Sequence, residues 1–175
     1  MVSSFYLLLK ELESSSRLQE EFDSTTIDLK DYEVREGSVS LDILKGDILI
    51  VDGQISFKVH LTCARCGRGF DREFSEHLHR EFILGRDPYD SNPKVRLRDS
   101  DLDRVFFQDV GIDLTADIRE VVITAIPMAP HCQEDCKGIC PYCGQDLNQG
   151  SCDCQQPGGG GWLDEYIKDQ DKSAD

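Results

Sequence analysis

Cysteine is the residue type in this chain whose numbers and spacing best suit it to chemistry. Cys132, Cys136, Cys140, Cys143, Cys152 and Cys154 crowd into one short segment, and Cys63 and Cys66 form a distant pair. Cys140-Pro-Tyr-Cys143-Gly is a C-x-x-C-G turn. Two sulfurs at that spacing can face one ion, and the glycine relieves crowding as backbone N–H groups approach the thiolates. With Cys152 and Cys154 following closely, four thiolates can close a tetrahedral site with Zn–S bonds of about 2.3 Å. A shell closed by four sulfurs leaves no position for water or substrate, so the expected role is structural.

Cys63-Ala-Arg-Cys66-Gly repeats the same turn. Pairing it with Cys132 and Cys136 predicts a second site, which would staple a hairpin tip to a segment far along the chain. His131 is a reserve ligand should Cys132 not serve. Another partition groups Cys136, Cys140 and Cys143 with one of Cys152 or Cys154, and spacing alone leaves both open. The expected cofactor is therefore one or two Zn2+ ions. A redox dithiol at Cys63 and Cys66 is the rival reading, but such pairs usually open a helix, whose dipole lowers the thiol pKa, and this pair follows a strand pattern.

Nothing else in the sequence has a catalytic pattern. There is no Ser-His-Asp set, H-E-x-x-H, phosphate-binding loop or nucleotide fingerprint. His60, His77 and His79 read as surface side chains. The net charge of −15 disfavours phosphate backbones and favours a basic protein partner. Lys94, Arg96 and Arg98 form the one notable basic run and are the candidate RNA or partner contact, although Asp99, Asp101 and Asp103 dilute it. No stretch approaches the roughly 20 apolar residues of a membrane span. The first ten residues lack the charge pattern of a signal or transit peptide, so the expected location is the cytosol, where thiols stay reduced.

The elements that must position the cysteines follow from periodicity. Phe5, Leu8, Leu9 and Leu12 share a helical face, which predicts a short amphipathic helix over 4–13. From Leu18 to Phe82 the pattern is that of strands. Val39, Leu41 and Ile43 alternate with polar residues, Lys45-Gly46-Asp47 marks a turn, and Asp52-Gly53 reads as a second hairpin turn. Ile55, Phe57, Val59 and Leu61 deliver Cys63 at a strand end, and Phe70 to Phe82 return. Residues 84–104 read as a polar loop and Val105 to Phe107 as a short strand. A helix over 114–126, capped by Asp113 or Thr115, buries Ile118, Val121, Val122, Ala125 and Ile126 and stops at Pro127. Gly158 to Gly161 are a linker, and Trp162, Leu163, Tyr166 and Ile167 a short amphipathic tail. The expected fold class is α+β: a mostly antiparallel sheet from about 18 to 108, or an open barrel, packed on one main helix. The expected domains are a body at 1–130, a zinc module at 131–154 and a linker with acidic tail at 155–175.

Leu61-Thr-Cys63-Ala-Arg-Cys66 with Phe70, the helix ending at Pro127, Cys132-x-x-x-Cys136-Lys-Gly-Ile-Cys140-Pro-x-Cys143-Gly-x-x-Leu-Asn, and Cys152-Asp-Cys154 together resemble the YceD-like family of large ribosomal RNA subunit accumulation proteins. The likeness runs from about residue 38 to 154. It is most specific from Cys136 to Asn148, where non-cysteine positions match as well. It implies a bacterial or plastid protein, not an enzyme, that supports accumulation or maturation of large-subunit ribosomal RNA. It also implies a small basic large-subunit ribosomal protein, or a precursor particle, as partner. The Gly158 to Gly161 run and acidic tail depart from the more basic tails of that family. Direct RNA binding through the zinc module and the basic run is the alternative function, with thiol redox enzymology after it.

Overall fold

The computed structural model describes residues 4–88 and 99–154. The basic run Lys94, Arg96 and Arg98, the linker Gly158 to Gly161 and the tail residues Trp162 to Ile167 lie outside the described residues. In chain order the strands are β1 (Tyr6–Leu8), β2 (Ser15–Phe22), β3 (Glu33–Lys45), β4 (Leu49–Thr62), β5 (Gly69–Leu84), β6 (Arg104–Phe107) and β7 (Gly111–Asp113), followed by α1 (Thr115–Ala125). A short 3₁₀ turn at Asp99–Asp101 precedes β6. Contacts divide the chain into two compact units: residues up to 64 together with 68–132, and residues 65–67 together with those from 133 on.

The first unit holds a five-stranded sheet in the order β2-β3-β4-β5-β6 and a two-stranded sheet of β1 and β7. The β2-to-β5 meander is antiparallel, and β6 joins β5 in parallel. Both sheets are open, and neither closes on itself. Period-two alternation builds the core. Leu49, Val51, Ile55, Phe57, Val59 and Leu61 on β4 are all buried, as are Val39, Leu41 and Ile43 on β3. A bulge between Val34 and Glu36 shifts the parity of β3, which lets even-numbered Val34 join this odd-numbered face.

Two sequence expectations are overturned. Residues 4–13 are not helical: Tyr6–Leu8 pair with Gly111–Asp113, and Phe5 and Leu7 are buried in alternation. A strand partner more than a hundred residues away overrides the local helical spacing. Asp52-Gly53 is not a turn either, because both lie inside β4, where Gly53 faces Leu41 on β3 and Leu78 on β5. A side chain at Gly53 would meet the Ser40 carbonyl and lie 2.8 Å from Leu41 Cα. The glycine there serves a close approach between two strand backbones.

Helix α1 packs on β5 and β4. Its capping residue is Leu114, fully buried and without a side-chain cap, in place of Asp113 or Thr115. Asp113 Oδ1 still accepts the Thr115 N–H at 3.0 Å. Ile118, Val122 and Ile126 are buried, and Val121 and Ala125 pack at the margin. Ile126, extended before Pro127, ends the helix. Arg80 crosses from β5 to the helix, bonding Asp117 at 3.0 Å and Glu120 at 3.2 Å. No helix among the described residues is long and apolar enough to cross a membrane.

Candidate metal centres

Both C-x-x-C-G segments fold into one kind of turn. The Cys63 N–H donates to Arg68 O at 2.8 Å, and the Cys140 N–H donates to Gln145 O at 2.8 Å, the same register in each. Gly67 and Gly144 then take φ of +71° and +74°, a left-handed conformation that glycine adopts without strain. In the first unit β4 ends at Thr62 and so presents Cys63, while the Ala64 N–H donates to Pro130 O at 2.8 Å.

The structure brings the eight sulfurs into two groups: Cys63, Cys66, Cys132 and Cys136, and Cys140, Cys143, Cys152 and Cys154. Within each group every sulfur lies within 4.8 Å of the others. Cys136 belongs with the Cys63 pair, so the partition that placed it with Cys140 and Cys143 does not form, and His131 is in neither group. In the first group Cys63 and Cys136 are buried; in the second Cys143 is exposed.

The electrostatics of the second group favour one thiolate over its neighbours. Backbone N–H groups of Cys143 and Tyr142 aim at the Cys140 sulfur and lower its pKa from the usual thiol range to about 6. One thiolate then opposes the next. Cys154 is pushed up to about 12 by its hydrogen bond with Cys143, by desolvation and by Cys140. At Cys152 the Cys154 N–H favours the thiolate, yet contact with Cys140, burial and the Cys140 charge outweigh it and raise the pKa. Four thiolates this close need a cation to coexist, and both groups could hold a metal ion. Neither pair opens a helix, since the α-helix among the described residues begins at Thr115.

The second unit supplies supports that spacing did not single out. Asn148 accepts the Lys137 N–H at 2.8 Å, and its amide nitrogen reaches the Cys136 sulfur at 3.5 Å and Asp146 Oδ1 at 2.7 Å. Arg65 donates to the Cys136 carbonyl at 3.0 Å. The Leu147 N–H bonds Gly138 O, and Ile139 bridges Asp146. The signal for Asn148 was its place at the end of the family-like Cys136 to Asn148 stretch. His60 bonds Asp71 at 2.7 Å, and His77 and His79 flank Asp52 at 3.3 and 2.8 Å. All three are tied to carboxylates, and none is among the grouped ligands.

The sequence profile of the family described as "Large ribosomal RNA subunit accumulation protein YceD" matches residues 51–160, which include all eight cysteines. The chain belongs to the YceD family. It is 31% identical over 151 residues to "Large ribosomal RNA subunit accumulation protein YCED homolog 1, chloroplastic" of Arabidopsis thaliana, covering 74% of this chain and 47% of that protein. It is also 31% identical over 115 residues to "Uncharacterized protein ML1660" of Mycobacterium leprae (strain TN), covering 66% of this chain and 48% of that one. The chain thus spans about half the length of the curated relatives it matches. No solved structure matches it. The YceD family carries the name of an accumulation role connected with the large ribosomal subunit, a description that is not enzymatic.

Proposed function

We propose that this YceD-family chain is a non-enzymatic ribosome-assembly factor that supports accumulation or maturation of large-subunit ribosomal RNA, acting by binding a basic ribosomal protein or a precursor particle. In this reading each cysteine group holds a structural Zn2+. Four sulfurs about 2.3 Å from one zinc stand about 3.8 Å apart, close to the separations of 4.8 Å or less within each group. Small side-chain rotations would close both shells. The body at 1–130 then carries the binding surface, 131–154 is a metal-stapled module, and 155–175 is a linker and tail. The place of action is where ribosomes are assembled, the cytoplasm of a bacterium.

The observation that carries this reading is that all eight cysteines of this YceD-family chain gather into two groups of four sulfurs, a donor set that suits a closed structural shell with no position for substrate. The net charge of −15 supports a basic partner over bare RNA. Two measurements test it together: metal analysis of purified protein, expected to give two zinc per chain, and low-salt capture from a bacterial lysate, expected to recover large-subunit proteins or precursor particles. Capture of neither would refute the binding role. A gel shift with ribosomal RNA that weakens steeply as salt rises would favour direct RNA binding instead.

A further inference from the structure

The five-stranded sheet buries one face, and the side chains of its other face are largely exposed. On that face Ser38, Ser56 and Ser75 stand opposite one another on β3, β4 and β5, with the Ser56 and Ser75 hydroxyls 3.2 Å apart. Three short side chains in a row sink the surface into a trough of about 840 Å³ that runs from β2 to β5. Four neighbouring strands at about 4.8 Å spacing make it about 14 Å across, which is the length of about four extended residues.

The rim is acidic. Glu21, Asp23, Glu36 and Glu73 line the trough against two cations, Arg35 and Lys58. Both cations are already engaged: Arg35 with Glu33 and Asp71, and Lys58 with Glu73. Glu21 and Glu36 have no ion-pair partner among the described residues. Exposed carboxylates beside serine hydroxyls and strand backbone suit guanidinium and ammonium groups, which carry only donors. The same charges repel phosphate.

We propose that this trough docks an extended, arginine- or lysine-rich segment of a protein partner. The proposal rests on the reading of the chain as a binder of a basic large-subunit component and assigns that binding to one face. The side chains of the segment lie across β2 to β5, with its cations on Glu21 and Glu36 and, in competition with Lys58 at 3.7 Å, on Glu73, and its backbone over the serine row.

The test uses the full chain, loaded with zinc, and a fluorescein-labelled nona-arginine peptide read by anisotropy at low salt. The triple variant Glu21→Lys, Glu36→Lys, Glu73→Lys should weaken binding at least about tenfold, as three exposed pairs are each worth a few-fold. A variant of equal charge change elsewhere, Glu11→Lys, Glu13→Lys, Asp31→Lys, should stay within about threefold. Amide shift mapping on the unmodified protein gives a second readout, with changes expected at residues 21–26, 35–38, 56–58 and 73–75. Equal losses in both variants, shifts elsewhere, no peptide binding, or a ribosomal RNA fragment occupying the trough in place of the peptide would each overturn it. Lysate capture separates the two claims. If the unmodified chain recovers large-subunit components and the trough variant does so equally, the trough is wrong and the binding role stands. If the peptide binds in the trough but the unmodified chain recovers none, the binding role fails and the trough stands.

Discussion

Replacing Asn148 by alanine should weaken one metal site and leave the other alone. Asn148 is half-buried, and its side chain makes contacts of different worth, among them a long bond accepted from exposed Gln133 at 3.5 Å. Its bond from the Lys137 N–H can be replaced by water, because Lys137 is exposed. Its bond to Asp146 orients the amide without touching a sulfur. The contact to Cys136 Sγ at 3.5 Å differs, since Cys136 is only 3% exposed and water has little access to that sulfur. An N–H aimed at a thiolate is a hydrogen bond to a charged acceptor, worth about 1.5–3 kcal/mol. That is lost only when the sulfur is ionised, so it falls on metal affinity more than on the fold. The expected result is a loss of about 10–100-fold in zinc affinity at the Cys63, Cys66, Cys132 and Cys136 group, in the range typical of groups that orient ligands. Titration with a chromophoric chelator should give two release steps for the unmodified chain, and Asn148→Ala should move one of them. Gln149→Ala removes only an exposed bond to Asp146 and serves as control. Two unmoved steps, or two that move together, would refute the reasoning.

Limiting chelator should release the ion of the Cys140 group first, because Cys143 is exposed while Cys63 and Cys136 are buried; alkylation mapped by mass spectrometry should then label Cys143, Cys152 and Cys154 before Cys63. Gly53→Ala should cost about 1–3 kcal/mol in urea unfolding, since its Cβ would press on backbone atoms that cannot rotate away. Gly46→Ala, whose Cβ meets Ile48 O at an ordinary 3.6 Å, should cost less than about 1 kcal/mol. Arg80→Met should destabilise by about 2–3 kcal/mol at neutral pH, because it leaves the Asp117 carboxylate, 14% exposed, without its cation. Burial already raises the Asp117 pKa, against the pull of Arg80, and loss of Arg80 raises it further. An acid with a raised folded pKa binds its proton more readily folded than unfolded, so the cost is present above that pKa and fades as pH falls through it. The gap between Arg80→Met and the unmodified chain should therefore narrow from pH 7 to pH 5, and a widening gap would contradict it.

What the sequence made legible was local. Each C-x-x-C-G turn is encoded within six residues, so the turn that brings its two sulfurs together could be read from Cys63 to Arg68 and from Cys140 to Gln145. The alternation of Ile55, Phe57, Val59 and Leu61 likewise contains its own answer, because a strand buried on one face repeats every two residues. The misreadings at Gly53 and at residues 4–13 share a cause. Asp-Gly resembles a hairpin turn only until the backbone of Ser40 and Leu41 is known to lie against it. Phe5, Leu8, Leu9 and Leu12 fit a helix only until Gly111–Asp113 arrive as a strand partner. Arg80 was hidden for the same reason: its cation sits on the core-facing register of β5 and is satisfied by a helix 37 residues later. Asn148 was visible as part of a conspicuous motif, but its role depends on a fold-back that places it beside Cys136.

With a metal in each, the two cysteine groups, alike in chemistry, would do unequal work on the chain. A metal joining Cys66 to Cys132 closes a loop that contains β5, β6, β7 and α1, whereas one joining Cys143 to Cys152 closes a few residues. Loop-closure entropy grows with the logarithm of length, which makes the longer closure worth about 2 kcal/mol more to the folded state. Exposure acts in the same direction: each group has buried cysteines, but Cys143 of the second group is exposed to competing water and chelators and no cysteine of the first group is. With an ion in each group, the fold would therefore lean more on the Cys63 group than on the Cys140 group. Stability should follow occupancy of the first group, and any partner that reads the second should follow occupancy of the second. If both properties tracked one ion, the division of labour between the two groups would be wrong.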